Sequence, residues 1–335
     1  MKKVIKTKAK ARKGEEIISL AGLLEMEKPA GDAQVSIDGY VVALTSLDRI
    51  YWPGQGYTKA DLIRYYYETA EYILPYLKDR PLIMRRFPAG ITGPSFHQHD
   101  VDTAPEYVRT VRVKVEEDGG HFVDYAVCDN VPTHLYLANL GAIERHPWHS
   151  RAAKLDRPDW FIFDLDPGEK VAFKTICEIA VRLRQVIERF GLESYPKTSG
   201  SRGIHLYVPI KPEYPYEKVA GLAGKIAALT AGENPAAATV ERSKSKRKAG
   251  QIYVDFMQNN RGKSVAAPYS VRPHPGATVS APLEWKEVEK KKISTDDFTI
   301  KNMLARLKEK GDLFKPVLKN KQSLEKAFEV AGIKS

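Results

Sequence analysis

Residues 158–168 read PDWFIFDLDPG: an apolar run, Trp160 to Phe163, then Asp164-Leu165-Asp166, then the turn signal Pro167-Gly168. The run has the length of a buried strand, and Pro-Gly closes it. Side chains alternate along a strand, so Ile162, Asp164 and Asp166 share one face while Phe161, Phe163 and Leu165 take the other. Two carboxylates on one face at a strand end repel each other unless a cation or a proton lies between them. A hard divalent ion resolves that repulsion through carboxylate oxygens. Ordinary Asp-Pro-Gly turn chemistry, with both acids in water, resolves it equally well. The same acid spacing also occurs in sugar-nucleotide transferases, so this stretch alone leaves the choice open.

Working outward, FKTICEIAVRLRQVIERFG (173–191) predicts an amphipathic helix ended by Gly191. GIHLYVPI (203–210) predicts a strand, YEKVAGLAGKIAALTA (216–231) a helix, and QIYVDFM (251–257) a third strand. Strands alternating with helices predict layered α/β or α+β architecture. Upstream, TKADLIRYYYETAEYILPYL (58–77) predicts one helix capped by Thr58, with Leu62, Tyr65, Tyr66, Ile73 and Leu77 on its apolar side. YVRTVRVKV (107–115) and FVDYAV (122–127) alternate as strands, and HLYLANLGAI (134–143) follows as a short helix. Residues 296–335 read as helical, with Leu304, Leu307 and Phe314 to pack.

The chain has 335 residues and a formal charge of +11. Seven cations and no acid stand in residues 1–13, and RSKSKRK at 242–248 adds five more; the remainder is close to neutral. The charge points to a polyanion partner without separating nucleic acid from ribosome, membrane surface or plain solubility. The N-terminal run reads as a solvated tail that can still hold phosphates loosely, and the internal cluster as either a solvated hairpin tip or a loop placed for local, salt-sensitive phosphate contacts. No apolar run approaches a membrane span, and the first residues lack the apolar core of a secretory signal. Two cysteines, Cys128 and Cys177, make neither a disulfide framework nor a four-cysteine zinc site, so a reducing cytoplasm is expected.

Two further stretches carry possible chemistry. Asp255 interrupts an apolar strand pattern, so its carboxylate needs a partner, either a basic side chain or a metal shared with the other acids. Three acids on adjacent strands would suit two metals roughly 3.5–4 Å apart. In KTSGSRGIH (197–205) the loop from Ser199 to Gly203 could bring backbone amides to a phosphate, with Lys197 and Arg202 supplying charge. The same loop also reads as a tight turn before a strand, with His205 a core residue. Neither a Walker loop nor a G-x-S-x-G elbow is present.

The ordered set DLDP (164–167), KTSGSRGIH (197–205) and VDFMQN (254–259) resembles the three motifs of the archaeo-eukaryotic primase superfamily. The flanks resemble the polymerase domain of ligase D: LTSLDRIYWPGQGYTKADLIRYYY (44–67), RPLIMRRFPAGITGPSF (80–96), RHPWHSR (145–151) and APYSVRPHPGATVSAPLEW (267–285). The resemblance covers about residues 44–318 and implies an α+β primase-like core of mixed sheets flanked by helices. It implies a basic extension over 1–40, a catalytic domain over 41–318 and a helical tail over 319–335. Asp164, Asp166 and Asp255 match metal-binding catalytic acids; His146, Ser199, Arg202, His205, Gln258 and Arg272 match the nucleotide set. Arg49 and Lys59 match a basic pair for a 5′-phosphate, and Phe96 an aromatic that stacks on template bases; Arg247 and Lys248 are expected to touch DNA. Three positions depart from the pattern. His97 stands where a second aromatic is usual, His274 where arginine is common, and Arg49 where lysine is also found.

The activity so implied is template-dependent nucleotidyl transfer that fills or extends DNA ends in non-homologous end joining. It implies a preference for ribonucleotides, two divalent ions (Mn²⁺ or Mg²⁺) and nucleoside triphosphates as substrates. The expected partners are DNA ends bearing a 5′-phosphate, a separate Ku-type protein and a DNA ligase, with no membrane. No K-x-D-G ligase motif is present, and the expectation is a stand-alone subunit near the nucleoid. The rivals are a primase that starts chains without a primer and a non-catalytic module that bridges DNA ends.

Overall fold

The computed structural model describes residues 4–7, 17–115 and 120–334, and the chain divides into two units. One comprises the chain up to Pro147 together with Ser270–Ala277; the other comprises Trp148–Tyr269 and the chain from Thr278 on.

The first unit begins with β1 (Ile5–Thr7), β2 (Ile17–Ser19), α1 (Leu20–Glu25), β3 (Ala33–Ile37) and β4 (Tyr40–Leu44). Strands β2, β3 and β4 form a three-stranded sheet, because the alternation in 33–44 buries Val35, Ile37, Val42 and Leu44 on one side. The segment expected to be an extension through residue 40 therefore holds regular structure from Ile17 on. Of the basic run 1–13, all but residues 4–7 lies outside the described residues.

Next come β5 (Ile50–Trp52) paired with β6 (Tyr57–Thr58), then α2 (Lys59–Glu68) and α3 (Ala70–Leu77). Thr58 caps the start of α2 as the sequence predicts, and Asp61 caps it reciprocally. The single helix expected over 58–77 is two, because Thr69 leaves helical geometry while its hydroxyl donates back to the Tyr65 carbonyl at 2.7 Å. Leu62, Tyr65, Tyr66, Ile73 and Leu77 are all buried. The unit continues with β7 (Pro81–Arg86), β8 (Phe96–Gln98), β9 (Thr103–Pro105), β10 (Arg109–Val115), β11 (His121–Val127), α4 (Val131–Asn139) and β12 (Ala142–Pro147). Of these, β10, β11, β7 and β12 build an antiparallel sheet in that order, with β8 also on β7; β9 pairs in parallel with β1 in a separate two-stranded sheet. Helix α4 starts earlier than expected, under an Asn130 cap, and stops before Gly141, whose positive φ turns the chain into β12.

The second unit holds β13 (Trp160–Pro167), α5 (Phe173–Arg189), β14 (Tyr195–Thr198), β15 (Ile204–Pro209), α6 (Tyr216–Glu233), β16 (Ala238–Thr239) and β17 (Ile252–Asp255). After them come α7 (Trp285–Lys290), α8 (Met303–Lys310), α9 (Lys315–Lys319) and α10 (Glu325–Ala331). The sheet runs β14-β15-β13-β17-β16, with β13 at its centre and antiparallel to both neighbours. Phe161, Phe163 and Leu165 are fully buried, and the apolar stripes of α5 and α6 pack on this sheet. Leu307, Phe314, Leu324 and Phe328 are buried as well, so the segment from 319 packs through α10. Among the described residues no helix is long and apolar enough to cross a membrane, and both cysteines are free and buried.

Candidate active site

Strand register decides which side chains meet. Asp164 stands opposite His205 on β15 and opposite Asp255 on β17, while Lys197 on β14 stands opposite His205. Opposed residues share a sheet face, so Lys197, His205, Asp164 and Asp255 form one row across four strands. His205 Nε2 lies 3.4 Å from Asp164 Oδ1. Asp166, two residues along β13 and thus on the same face, pairs in register with Tyr253. The three acids separated in sequence are therefore brought to one face of one sheet.

Asp255 is held by three donors: the Met257 amide at 2.8 Å, Gln258 Nε2 at 3.0 Å and the Tyr253 hydroxyl at 3.3 Å. Burial pushes its pKa above the ordinary carboxylate value, and the Asp164 charge adds to the rise against those hydrogen bonds. Gln258, expected on the nucleotide, spends its amide here. Asp166 faces cations instead, with Arg247 Nη1 at 3.5 Å and the well-exposed Arg202 at 3.8 Å. Arg247 is itself fixed, donating to the carbonyls of Glu241 (2.7 Å) and Arg242 (2.9 Å) and lying 4.1 Å over the Tyr253 ring. With Asp166, Arg202, Lys244, Lys248 and Gln251 it lines a cavity of about 360 Å³. The basic cluster 242–248 thus borders the acids.

Among the described residues, no group of three or more His, Cys, Asp or Glu side chains is gathered as a ready metal site. The donor chemistry nonetheless suits a hard divalent ion, since Asp164 and Asp255 crowd two carboxylates with the proton affinity of one raised. Asp166 would have to exchange its guanidinium contacts to join them.

The loop between β14 and β15 is self-bonded. Ser199 is nearly buried, and its Oγ accepts from the amides of Ser201 (3.1 Å) and Gly203 (3.0 Å). Those two amides, read from sequence as available to a phosphate, are turned inward. Gly203 is required by close approach: a Cβ there would run into the Leu165 carbonyl. Lys197, expected to offer charge to a phosphate, is fully buried, and its Nζ donates to His205 Nδ1 at 2.9 Å and to Ser280 Oγ at 2.5 Å. Strand alternation turns it inward with His205, a consequence of register that the loop motif hides.

One positioning residue escaped the sequence reading. Asn259 is buried and its amide mimics a strand: Oδ1 accepts from Ile162 N at 2.8 Å, and Nδ2 donates to the Ile162 carbonyl at 2.7 Å. It continues the pairing of β17 along β13 two residues beyond Asp164, to Ile162. Only its place in VDFMQN hinted at this.

In the first unit, Glu144 and His146 share a face of β12, and Arg85 on β7 stands opposite Glu144. Arg272 Nε lies 2.7 Å from Glu144 Oε1, while His146 Nε2 and Arg85 Nη1 each lie 3.5 Å from Oε2. Arg49 is exposed and donates to the Pro88 carbonyl at 2.8 Å. Lys59 is nearly buried, with Nζ 2.6 Å from the Thr45 carbonyl. Burial, helped by the Arg49 charge, lowers the Lys59 pKa to about 8. Phe96 is 46% exposed, with the Arg86 guanidinium 5.2 Å from its ring. His97 beside it is exposed, and the His274 carbonyl takes the Trp52 indole N–H at 2.9 Å.

With this geometry in place, comparison with known proteins is specific. Residues 58–314 match the family described as LigD, primase-polymerase domain. The bifunctional non-homologous end joining protein LigD of Bacillus subtilis is 36% identical over 281 residues, covering 83% of this chain and 44% of that protein. The multifunctional counterpart in Mycolicibacterium smegmatis is 32% identical over 279 residues, covering 82% of this chain and 36% of that protein. The chain therefore spans less than half the length of these relatives. Among solved structures, the polymerase domain from Mycobacterium tuberculosis ligase D in complex with DNA superposes with a TM-score of 0.78 at 29% identity, over 84% of this chain and 99% of that one. The mixed sheets and flanking helices are those of the α+β primase-type fold expected from the sequence.

Proposed function

Because the chain belongs to the LigD primase-polymerase domain family, we propose that it is a DNA-directed nucleotidyltransferase that fills or extends DNA ends during end joining. The observation that carries this reading is the row in which Asp164 stands between His205 and Asp255, with Asp166 beside it. Asp164, Asp166 and Asp255 are the residues that would hold divalent Mn²⁺ or Mg²⁺. Two such ions would supply charge neutralisation for an attacking 3′-hydroxyl and a leaving pyrophosphate. The chain's own side chains do the rest. His205 offers Nε2 as a donor beside Asp164; Arg202 and Ser199 lie at the loop that would meet phosphate; Gln258 holds Asp255 in place. Arg247 and Lys248 bring positive charge to the cavity next to Asp166, for a nucleic-acid backbone. In the first unit, His146 and Arg272 are proposed phosphate contacts, Arg49 and Lys59 the grip on a 5′-phosphate, and Phe96 a stacking platform.

The test is extension of a primer facing a recessed 5′-phosphate, with ribo- and deoxynucleotides and with Mn²⁺ and Mg²⁺. Templated addition is expected, faster with ribonucleotides; no addition under any combination overturns the reading. The same template without primer separates it from a chain-starting primase. A Ku-type protein and a ligase belong to the same proposal and are tested by joining assays with and without them.

Lys59 gives a pH prediction. Its proton is lost near pH 8, so its hold on a phosphate is full below that value and fades above it. Between about pH 7 and pH 9 the preference for 5′-phosphate over 5′-hydroxyl ends is expected to fall roughly tenfold. Lys59→Arg should flatten that dependence, because guanidinium stays charged. A constant preference across the range would remove Lys59 from the grip. The same shift makes the unfolded chain the better proton binder from about 8 to 10.5, so this group adds stability as pH rises through that window.

A further inference from the structure

Glu144 is a carboxylate 1% exposed, facing two arginines and a histidine. Burial would push its pKa up, but Arg272 foremost, then His146 and Arg85, outweigh burial and hold it at about 2. The surrounding cations therefore favour its ionised form. Arg272 Nε sits 2.7 Å from Glu144 Oε1, and His146 Nε2 and Arg85 Nη1 share Oε2 at 3.5 Å, so one buried carboxylate is the common partner of all three. A carboxylate this deeply buried that gathers two guanidiniums and an imidazole leaves an excess of donors around one anion, an arrangement that a second anion can share.

Bulk charge gives the same answer. His146 is pushed toward its neutral form, chiefly by burial. Arg85 and Arg272 then leave one net positive charge after Glu144. Without Glu144, two guanidiniums and an imidazole would crowd one pocket with nothing to hold them together. The bulge in β12 between Ala142 and Glu144 shifts the register so that Glu144 meets Arg85.

We infer that Glu144 is a positioning residue of the nucleotide site, a resident counter-anion that keeps Arg272 and His146 aimed before the triphosphate arrives and shares them with it afterwards. An anion beside Nε2 also keeps the His146 proton on that nitrogen, so the ring presents a donor. This rests on the proposal that Arg272 and His146 receive the triphosphate.

The experiment is steady-state extension kinetics on Glu144→Gln, Arg272→Met and the double variant, in the full chain. Glu144→Gln is expected to raise KM for the nucleotide about tenfold, as when a residue that orients a binding group is lost. Its kcat and its affinity for DNA should change little. In the Arg272→Met background the same change should have almost no further effect, because it acts through that arginine. Glu144→Asp keeps the charge but withdraws it by one methylene, so a smaller rise in KM is expected; it carries the test if the Gln variant does not fold. An unchanged KM in a folded Glu144 variant, or effects that simply add in the double variant, overturns the inference. If Arg272→Met itself leaves KM unchanged, the reading of Arg272 as a phosphate contact has failed instead.

Discussion

Asp255→Asn is expected to abolish primer extension while leaving the protein at least as stable as before. Burial raises the Asp255 pKa and the facing Asp164 adds to it, so the ionised pair costs the fold free energy. Asparagine removes that charge and keeps the shape. Its oxygen can still accept from the Met257 amide, and its nitrogen meets Gln258, whose own amide can turn to present oxygen. The melting temperature should therefore hold or rise, the pattern of a residue kept for chemistry against stability. Activity should fall by about a thousandfold or more, the scale seen when a member of a group acting as a unit is removed. Affinity for a DNA end should be unchanged within a factor of about two, since no base or phosphate contact is assigned to this carboxylate. Thermal melts, filter binding and extension on one preparation decide the matter. Extension at parental rate would remove Asp255 from the catalytic set; a large drop in melting temperature would recast it as a structural acid.

Much of this site was legible in sequence, and the limits have a physical origin. The alternation of WFIFDLDP says that Asp164 and Asp166 share a face, and the β13 backbone places them so. It cannot say which strand lies beside β13, because β17 comes nearly ninety residues later and pairing is non-local. Motif order supplied that link through family resemblance alone. Direction of side chains was the weaker part. The glycine-bearing loop after Lys197 suggested an open phosphate cradle, yet Ser199 gathers its amides inward and Lys197 points into the core. Hydrogen bonds that close a loop upon itself leave no periodic trace in sequence. Glu144 and Asn259 escaped for the same reason: each acts through a partner distant in the chain, Arg272 in one case and Ile162 in the other.

The row of strands makes a second strong prediction, for Lys197. An ammonium offers donors only, so the His205 Nδ1 it meets at 2.9 Å must accept, and the ring proton belongs on Nε2. That nitrogen faces Asp164 at 3.4 Å and is the one proposed to donate to phosphate. Lys197→Met keeps the length and apolar bulk of the side chain in a fully buried slot, but withdraws the donor. His205 is then free to exchange tautomers and to rotate, and kcat/KM should drop about a hundredfold, the upper range for losing a group that orients a site histidine. Lys197→Gln separates orientation from charge, since it keeps a neutral donor, one bond shorter than the ammonium; it should recover part of the loss. Lys197→Arg should not, because the larger guanidinium has no room between His205 and Ser280. Nitrogen NMR of the His205 ring gives an independent check: a single Nε2–H tautomer in the parent and a mixture in the Met variant. Parental kinetics in Lys197→Met with an unaltered tautomer would make Lys197 a packing residue and return the aim of His205 to the strand alone.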